Sequence, residues 1–408
     1  MTQLPFWKNW LTAGTMGIAM AFPLPVVAQD ADSTKSAAQA TTQTETPAQQ
    51  IDPLLIKVEK AIELSKLRYL SAETHTPWQI AHGILAFRHQ YEIKQNGKLV
   101  KAIDWVSDNA NYKGTPWFEK TQYGWREQPF SRPYIFQGHP NQFLGYFTLS
   151  RLPLDHQIRV GNDVFTIQDL IENSKMEVNT REEITWTLWA LSHYLPADAE
   201  WKNQYGENWS IERLVQIQTD EPVANAACGG THGLFVLSYA RNKYLHTSGG
   251  KARGVWLEAD QKIRRYVAEA KASQNSDGTF STNFFGGSGY SQDFNKRLAT
   301  TGHMVEWLMV ALRPDEIRAP WIRSGVNALC DDLLESKDQP ANVGPLYHAI
   351  DALQIYHTRT KPKEQVAKSD VPTEQKTETP NPNSNTPGGA AIPPTTTALP
   401  TTNDAAIK

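Results

Sequence analysis

Cysteine is scarce in this chain, which holds only Cys228 and Cys330 among its 408 residues. Two cysteines form at most one bridge, so the sequence excludes a small secreted scaffold that several disulfides hold together. One bridge between them is chemically allowed in an exported protein. Their positions in the sequence do not indicate whether the two thiols meet.

An excess of one charge and several catalytic motifs are also lacking. The 40 Lys and Arg against 43 Asp and Glu give a formal net charge of −3, and no basic cluster stands out, so we expect no nucleic-acid partner. The chain has no Gly-x-Ser-x-Gly elbow of a serine hydrolase and no Asp-x-Asp-Asp cyclase acid motif. The glycines of "CGGTHG" lack the Lys-Ser/Thr that follows in a nucleotide-binding loop.

Both ends of the chain lack the features of a folded domain. An apolar run near the N-terminus ends in "VVA", small residues as at a cleavage site, which predicts a signal peptide over 1–28. We therefore predict an exported protein, periplasmic or extracellular, without a transmembrane segment after signal removal; an uncleaved N-terminal anchor is the alternative. Residues 29–52 and 359–408 hold few large apolar side chains, which predicts a disordered linker and a disordered Thr/Pro-rich tail around one domain over 53–358.

The remaining residues show the caps and the apolar periodicity of helices. Asp52 and Thr76 each precede a proline, which predicts an N-cap followed by Pro at the first helical position. Thr166 is also a predicted N-cap, and Thr180 with Glu183 has the spacing of a capping box. The periodicity predicts eleven helices, which are 53–67, 76–87, 138–152, 166–176, 179–195, 210–217, 228–240, 255–270, 300–312, 320–336 and 344–356.

These helices fall into two kinds that broadly alternate along the chain. Segments 184–191, 233–240 and 304–312 are apolar nearly all round and must be buried on both sides. Helices 255–270 and 320–336 are apolar on one side only and must face solvent. An inner ring of buried helices inside an outer ring of amphipathic ones satisfies both requirements. We therefore predict an all-α fold, an (α/α)6 toroid of six helix pairs with small β-hairpin insertions.

Two turns and one aromatic segment interrupt the helical pattern. Asn96-Gly97 and Gly161-Asn162 each lie between alternating segments, which predicts two β-hairpins. Residues 104–137 are instead predicted to be an irregular loop, and a loop of that length is usually functional or a cover. Its tryptophans would provide a stacking platform for a sugar; they are Trp105, Trp117 and Trp125.

Histidines recur at the openings of the apolar helices. If the inner helices all run in the same direction, their N-termini meet at one mouth of the ring, where unpaired N–H groups also favour anions. Each histidine by itself is more simply explained as a cap or a hydrogen-bonded interior residue, but their recurrence at one end predicts a shared ligand-binding cluster. The five are His82, His139, His232, His303 and His348.

Two pairs within these helices could carry acid–base chemistry. His303 with Glu306, and His348 with Asp351, are three residues apart. Residues at that spacing share a helix face, so each pair could act as a base with an orienting carboxylate.

Two short motifs resemble known toroid families. The stretch Gln274-x-x-Asp277-Gly278-x-Phe280 is similar to the Gln-x-x-Asp-Gly-x-Trp turn of the terpene-cyclase and prenyltransferase α/α toroids, in which the turn joins an outer helix to the next inner one. The stretch "TGHMVEW" resembles the Gly-His-x-x-Glu-Trp element of N-acylglucosamine 2-epimerase-type (α/α)6 barrels. In those barrels the histidine, here His303, acts on the sugar. Both resemblances imply a six-hairpin barrel, and neither fixes a reaction.

A zinc site is a further chemistry that the cluster allows. Cys228 and His232 are four residues apart and share a face if the helix begins by Cys228, and with His303 they would suit Zn²⁺. The resemblance to the prenyltransferase branch implies zinc held through Asp, Cys and His of the inner helices. This chain departs from that pattern, because Asp293 is followed two residues later by Asn295 rather than by Cys. The ligand set is therefore not carried over from that branch.

Three functions fit these features. The lack of a specific catalytic motif favours a binding or scaffolding protein of the cell envelope that takes a small molecule or glycan at the mouth. The alternative is a carbohydrate-active enzyme of the epimerase, lyase or hydrolase type. Its acid/base would be His303 or His348, with Glu306 or Asp351 as the partner. The third is a terpenoid cyclase or prenyltransferase-like enzyme. This chain has the turn motif of those enzymes but lacks their acid motif.

Overall fold

The computed structural model describes residues 52–129, 133–224 and 226–362. The predicted signal peptide, the linker up to residue 51 and the tail beyond residue 362 lie outside the described residues. The last described helix ends at Thr360, two residues past the predicted domain end at 358.

The fold of the described residues is mostly α-helical. All eleven predicted helices are present, although α4 and α6 begin later than predicted, and α3 and α10 are short helices that were not predicted. None of the described helices is both long and apolar enough to span a bilayer. The helices are α1 (Pro53–Lys66), α2 (Pro77–Phe87), α3 (Ala102–Ser107), α4 (Gln142–Leu149), α5 (Ile167–Glu177), α6 (Thr185–Tyr194), α7 (Ile211–Asp220), α8 (Thr231–Thr247), α9 (Val255–Ala272), α10 (Phe294–Arg297), α11 (His303–Ala311), α12 (Pro320–Glu335) and α13 (Val343–Thr360).

Local sequence explains where several helices begin. Asp52 accepts a backbone hydrogen bond at 3.0 Å and caps α1, which starts with a proline. Thr76 and Thr166 each form a reciprocal capping box, with Gln79 and Asp169 respectively. The predicted caps of α1, α2 and α5 are thereby confirmed.

The capping box predicted for Thr180 and Glu183 is wrong. Helix α6 begins at Thr185, with Ile184 in the cap position. Glu183 instead accepts a hydrogen bond from His139 at 2.7 Å, a residue 44 positions away in the sequence. The Thr-x-x-Glu spacing is a local pattern, and it contains no information about so distant a partner.

Ten short strands in the described residues pair as five antiparallel hairpins. Two of these match the predicted hairpins, and Asn96, Gly97 and Gly161 have the positive φ that such tight turns require. The prediction of an irregular loop over 104–137 is wrong, because the segment holds two further hairpins. The strands are β1 (Glu92–Gln95), β2 (Lys98–Lys101), β3 (Asn111–Tyr112), β4 (Thr115–Pro116), β5 (Phe118–Thr121), β6 (Gly124–Glu127), β7 (Gln157–Val160), β8 (Asp163–Thr166), β9 (Glu200–Lys202) and β10 (Asn208–Ser210).

Six helices contact one another in a closed circuit. Helix α2 packs against α4, α4 against α6, α6 against α8, α8 against α11, α11 against α13, and α13 against α2. Each of the six buries at least five consecutive residues, so it is covered on all sides. In α1, α7 and α12 the buried residues recur at helical spacing on one face. These helices pack outside the circuit.

The turn that carries the Gln-x-x-Asp-Gly motif lies between α9 and α10 and is held by its own side chains. Gln274 Nε2 donates to Gly278 O at 2.8 Å and to Trp321 O at 2.9 Å, which links the turn to the start of α12. Asp277 pairs with Arg297 at 2.8 Å. The motif residues therefore fasten the turn to its neighbouring helices.

Replacing Gly278 by alanine is expected to destabilise the protein more than the same change in an open turn. Gly278 has a φ of +90°, and a Cβ there would lie 2.5 Å from Ser324 O. Gly161 also has a positive φ, +62°, but a Cβ there meets nothing within 4 Å. We expect Gly161→Ala to lower the free energy of unfolding by about 1 kcal/mol through backbone strain. Overpacking should raise the loss to about 3 kcal/mol in Gly278→Ala.

Urea unfolding of the two glycine variants beside the wild type measures both losses. Because the two glycines share the positive φ, their difference isolates the close approach to α12. Equal losses would contradict that close approach.

Candidate functional site

One ring side chain from each of the six buried helices joins a second closed circuit, which we call the aromatic circuit. Five of these side chains lie within the first six residues of their helices, and His303 is the first residue of α11, after α10 and a π-helical turn, so the N-terminal parts of the six helices converge. Neighbouring ring centroids are 4.0–5.4 Å apart. In order, the members are His82, Tyr146, Trp186, His232, His303 and His348.

All five predicted histidines meet at this end of the fold. Four belong to the aromatic circuit. His139 precedes α4, and its ring centroid lies 5.3 Å from that of His232 and 5.6 Å from that of Trp186. The sequence reasoning missed Tyr146 and Trp186. Each occupies the early helical position that a histidine occupies in the other buried helices, and this equivalence is the signal that could have identified them.

Backbone carbonyls orient two of the histidines. His82 Nδ1 lies 2.6 Å from Trp78 O, and His303 Nδ1 lies 2.7 Å from Ala299 O, four residues earlier in each case. A carbonyl only accepts hydrogen bonds, so Nδ1 carries the hydrogen in both rings and Nε2 carries the lone pair. In His82 this lone pair accepts from the Tyr146 hydroxyl at 3.1 Å.

The pairing of histidines with carboxylates inside the circuit differs from the prediction. His348 Nδ1 donates to Glu306 Oε2 at 2.7 Å, and both side chains are buried. The predicted pairs of His303 with Glu306 and of His348 with Asp351 are therefore wrong. The reason is that the side chains of a buried helix contact those of the neighbouring helix, so Glu306 of α11 bonds to His348 of α13.

Glu306 and Asp351 form a buried carboxyl pair. Arg88, just past the C-terminal end of α2, pairs with Asp351. Glu306 Oε1 and Asp351 Oδ2 are buried and have no hydrogen-bond partner among the described residues. Burial raises the pKa of Asp351 well above its usual range and that of Glu306 to about 8, so burial favours the protonated form of both carboxyls at neutral pH. Hydrogen bonds thus join Arg88 to Asp351 and His348 to Glu306.

The four histidines of the aromatic circuit are uncharged at neutral pH. Burial is the largest cause, and it lowers the pKa of His82, His232 and His303 well below the usual value and that of His348 to about 3. The neighbouring imidazoles lower these pKa values further, because adjacent positive rings repel each other. The neutral imidazole is the form that binds metal ions.

The three residues predicted as metal ligands lie together. Cys228 Sγ and the ring nitrogens of His232 and His303 are all within 4.8 Å of one another. His232 is 8 % exposed, and neither of its ring nitrogens has a hydrogen-bond partner among the described residues. Burial raises the pKa of the Cys228 thiol to about 12. Both Cys228 and Cys330 are free, so the disulfide that the sequence allows is not formed.

Two pockets open beside this cluster and share residues 181–184 as a wall. The larger has a volume of about 550 Å³ and is lined by His139 and Glu183; we call it the mouth pocket. The smaller, of about 370 Å³, reaches His232. A third space, between the rings of Trp186, His232 and His348, is about 10 Å³, close to the size of one water molecule.

The three tryptophans predicted as a sugar platform do not form one. Trp117 and Trp125 are 1 % and 0 % exposed, so neither offers a face to a ligand. Trp117 packs against Trp105 and Phe143, and Trp125 packs against Phe118. The prediction fails because the segment folds into hairpins whose aromatic side chains complete the core beside α4.

No protein-family model matches this chain, and no curated protein or solved structure matches it at a significant level. The likeness to toroid and epimerase families therefore stays a prediction from short motifs, and the proposals below rest on geometry.

Glu127 lines the mouth pocket and makes stability depend on pH. Its Oε1 accepts from the Leu144 N–H at 2.8 Å at the start of α4, while Oε2 has no partner among the described residues. Burial raises its pKa from 4.5 to about 7. The folded state therefore holds this proton more tightly than the unfolded state. Its contribution to stability is fully present below about pH 4.5 and is lost as the pH rises through about 7.

The Glu127→Gln variant keeps the acceptor for Leu144 and removes the titration. We expect the free energy of unfolding of the variant minus that of the wild type to be larger, in the direction of a more stable variant, at pH 8 than at pH 4.5 by about 1–3 kcal/mol. Chemical denaturation at the two pH values measures this difference. Glu200→Gln, on the exposed strand β9, is the control. A difference that does not change with pH would refute the assignment.

Proposed function

We propose that the described residues form an (α/α)6 toroid. The six buried helices alternate along the chain with α1, α3, α5, α7, α9 and α12, which supports six helix pairs. Helix α10 runs into α11 through a π-helical turn over 298–302 and belongs to the same inner helix. The convergence of the N-terminal rings supports a common direction for the inner helices, as in the sequence-based prediction.

We propose that this protein is an exported carbohydrate-active enzyme that binds a glycan in the mouth pocket. The observation that carries the proposal is the pair of His139 and Glu183, 2.7 Å apart on the wall of that pocket. Because Nδ1 of His139 donates to Glu183, Nε2 carries the lone pair and can take a proton from a hydroxyl or a water. Glu183 then stabilises the imidazolium, and the same ring returns the proton as an acid.

The lining of the mouth pocket suits a sugar. Tyr134 is 42 % exposed and stacks on Trp78, with centroids 5.8 Å apart and planes at 29°. An exposed aromatic face packs against the C–H face of a pyranose ring. Arg181 and Glu182 line the same pocket and supply donors and acceptors for hydroxyl groups. The volume falls within the range of about 300–1,000 Å³ that is usual for small-molecule sites.

A non-catalytic binding protein of the cell envelope is the second candidate. The observation in its favour is that His82, His303 and His348 are buried below the mouth, so that His139 is the histidine with the most direct access to a ligand there. A terpenoid cyclase is not proposed at the aromatic circuit. The space of about 10 Å³ between the rings of the aromatic circuit does not admit a hydrocarbon substrate.

Proton NMR of a panel of glycans incubated with the purified protein tests the proposal, since it detects hydrolysis, elimination and epimerisation alike. We expect at least one glycan to be converted, and His139→Gln to lower the rate by about 100-fold or more. His193→Gln is the matched control, because His193 is a half-buried histidine that does not line the mouth pocket.

Calorimetric titration of the same glycans separates the two candidates. Binding without conversion would support the binding protein and refute the enzyme. Conversion that survives in His139→Gln would remove His139 from the chemistry. If no glycan is bound or converted, the carbohydrate assignment fails altogether.

A further inference from the structure

We propose that Cys228, His232 and His303 form a binding site for a transition-metal ion, zinc in the first instance. Their ligand atoms all lie within 4.8 Å of one another. On a tetrahedral zinc ion, with bonds of about 2.1 Å to nitrogen and 2.3 Å to sulfur, ligand atoms are about 3.4–3.7 Å apart. A shift of roughly 1 Å closes the site, and small side-chain rotations provide it.

The environment of His232 points independently to a missing ligand. The side chain is 8 % exposed, and neither Nδ1 nor Nε2 has a hydrogen-bond partner among the described residues. A buried polar group without a partner costs about 1–3 kcal/mol, so such groups are rare and need an explanation. A metal ion bound to one ring nitrogen of His232 would give that nitrogen a partner and so explain its position. The other histidines of the aromatic circuit each have a partner for at least one nitrogen.

His303 is oriented as a metal ligand. Its Nδ1 donates to Ala299 O at 2.7 Å, which fixes the ring and leaves the lone pair on Nε2. Metal-binding histidines usually donate their second nitrogen to a carbonyl or carboxylate in this way. The carbonyl belongs to the π-helical turn over 298–302 that precedes α11. The irregular turn therefore has a defined effect on the site, because it places the acceptor that orients His303.

Cys228 is held in an unusual backbone conformation at the start of α8. Its φ is 49°, and Gly229 and Gly230 also have positive φ. Phe284 packs so closely over Gly229 that a Cβ there would lie 2.1 Å from its ring. A side chain other than glycine in the left-handed region costs about 1–3 kcal/mol and is concentrated at functional sites. The strained loop brings Sγ to the two imidazoles.

The donor set selects the metal. One thiolate and two imidazoles suit zinc and other late transition metals, whereas calcium and magnesium require oxygen ligands. Binding displaces the thiol proton, so zinc uptake releases a proton to solvent. Three protein ligands leave a fourth tetrahedral position open, as in catalytic rather than structural zinc sites. The ring centroid of His139, which lines the mouth pocket, lies 5.3 Å from that of His232.

The first test is the zinc content of the full purified chain. The chain is treated with a chelator and incubated with zinc chloride, and bound zinc is then measured by elemental mass spectrometry. We expect one zinc per chain and, in competition with a colorimetric chelator, at least 100-fold weaker binding in His232→Ala and in Cys228→Gly. Glycine accepts the positive φ of residue 228, so this variant deletes the ligand without new backbone strain. Cys330→Ala and His193→Gln are matched controls and should bind as the wild type does.

Substitution by cobalt gives a second readout that does not depend on turnover. Cobalt bound to a thiolate shows an intense near-ultraviolet charge-transfer band. We expect this band in the wild type and in Cys330→Ala but not in Cys228→Gly. Absence of bound zinc, or zinc bound equally by the double variant Cys228→Gly/His232→Ala, would overturn the proposal. Circular dichroism confirms that each variant is folded. A protein that takes up no zinc and still converts glycans would overturn the metal site and leave the proposed function intact.

Discussion

Replacing Trp186 by alanine is expected to lower the free energy of unfolding by about 3–5 kcal/mol, the range for truncation of a buried tryptophan. Trp186 is 2 % exposed and belongs to the aromatic circuit, between Tyr146 and His232. Gly145 of α4 makes room for its ring, because a Cβ there would lie 2.7 Å from Trp186 Cε3. The helices cannot close over the cavity easily, since each is held by two neighbours in the circuit.

Trp186→Phe separates the loss of the ring from the loss of the indole nitrogen. Trp186 Nε1 is buried and has no hydrogen-bond partner among the described residues, so its removal should cost little. We expect a loss of less than about 1.5 kcal/mol for this variant. Trp321→Ala, on helix α12 and only partly buried, controls for the removal of any tryptophan. Equal losses for Trp186→Ala and Trp321→Ala would contradict the role of the circuit.

Replacing Arg88 by alanine is expected to lower the free energy of unfolding by about 2–4 kcal/mol. Arg88 is the cation that faces Asp351, which is fully buried, and it also donates to Ala86 O at 2.9 Å. Breaking a buried pair leaves an uncompensated charge and costs about 3–5 kcal/mol. The lower value is expected here because burial raises the pKa of Asp351, so that this carboxyl can take up a proton when Arg88 is removed. Residue 88 has a φ of 54°, and alanine bears that strain as arginine does.

A double-mutant cycle with Asp351→Asn isolates the ionic contribution. In the Asp351→Asn background no carboxylate remains to be neutralised, and Arg88→Ala should cost about 1 kcal/mol through lost carbonyl contacts. Urea denaturation of the four proteins provides the values. If Arg88→Ala costs the same in both backgrounds, the two side chains are not energetically coupled.

Helix caps and turns were predictable because their determinants are contiguous in the sequence. Asp52, Thr76 and Thr166 cap helices with hydrogen bonds to residues two or three positions away. Asn96-Gly97 turns a hairpin without help from the rest of the chain. The convergence of the five histidines was also predictable, since all recur at helix openings and a ring of parallel buried helices brings such openings together.

The partners of the site residues were not predictable, because they come from different helices. Glu306 shares a helix with His303 but bonds to His348, 42 residues away. Glu183 has local capping-box spacing, yet helix α6 starts too late for it to act as a cap. Only the packing of neighbouring buried helices determines these pairings. The burial of Trp117 was unpredictable for the same reason. An aromatic segment has the same composition whether it covers a ligand or completes a core, and only the packing of the folded chain distinguishes the two.

The closed circuit of buried helices has a consequence for how the domain comes apart. An open repeat array has exposed ends from which it frays, and it needs special terminal repeats to cover them. Here α13 packs against α2, and α1 packs against α12 and α13, so the first and last described helices cover each other. Among the described helices, none of the six in the circuit is terminal, and the loss of any one of the six uncovers two others. The domain should therefore unfold in one cooperative step, and chain ends relocated to any hairpin turn should leave that step unchanged.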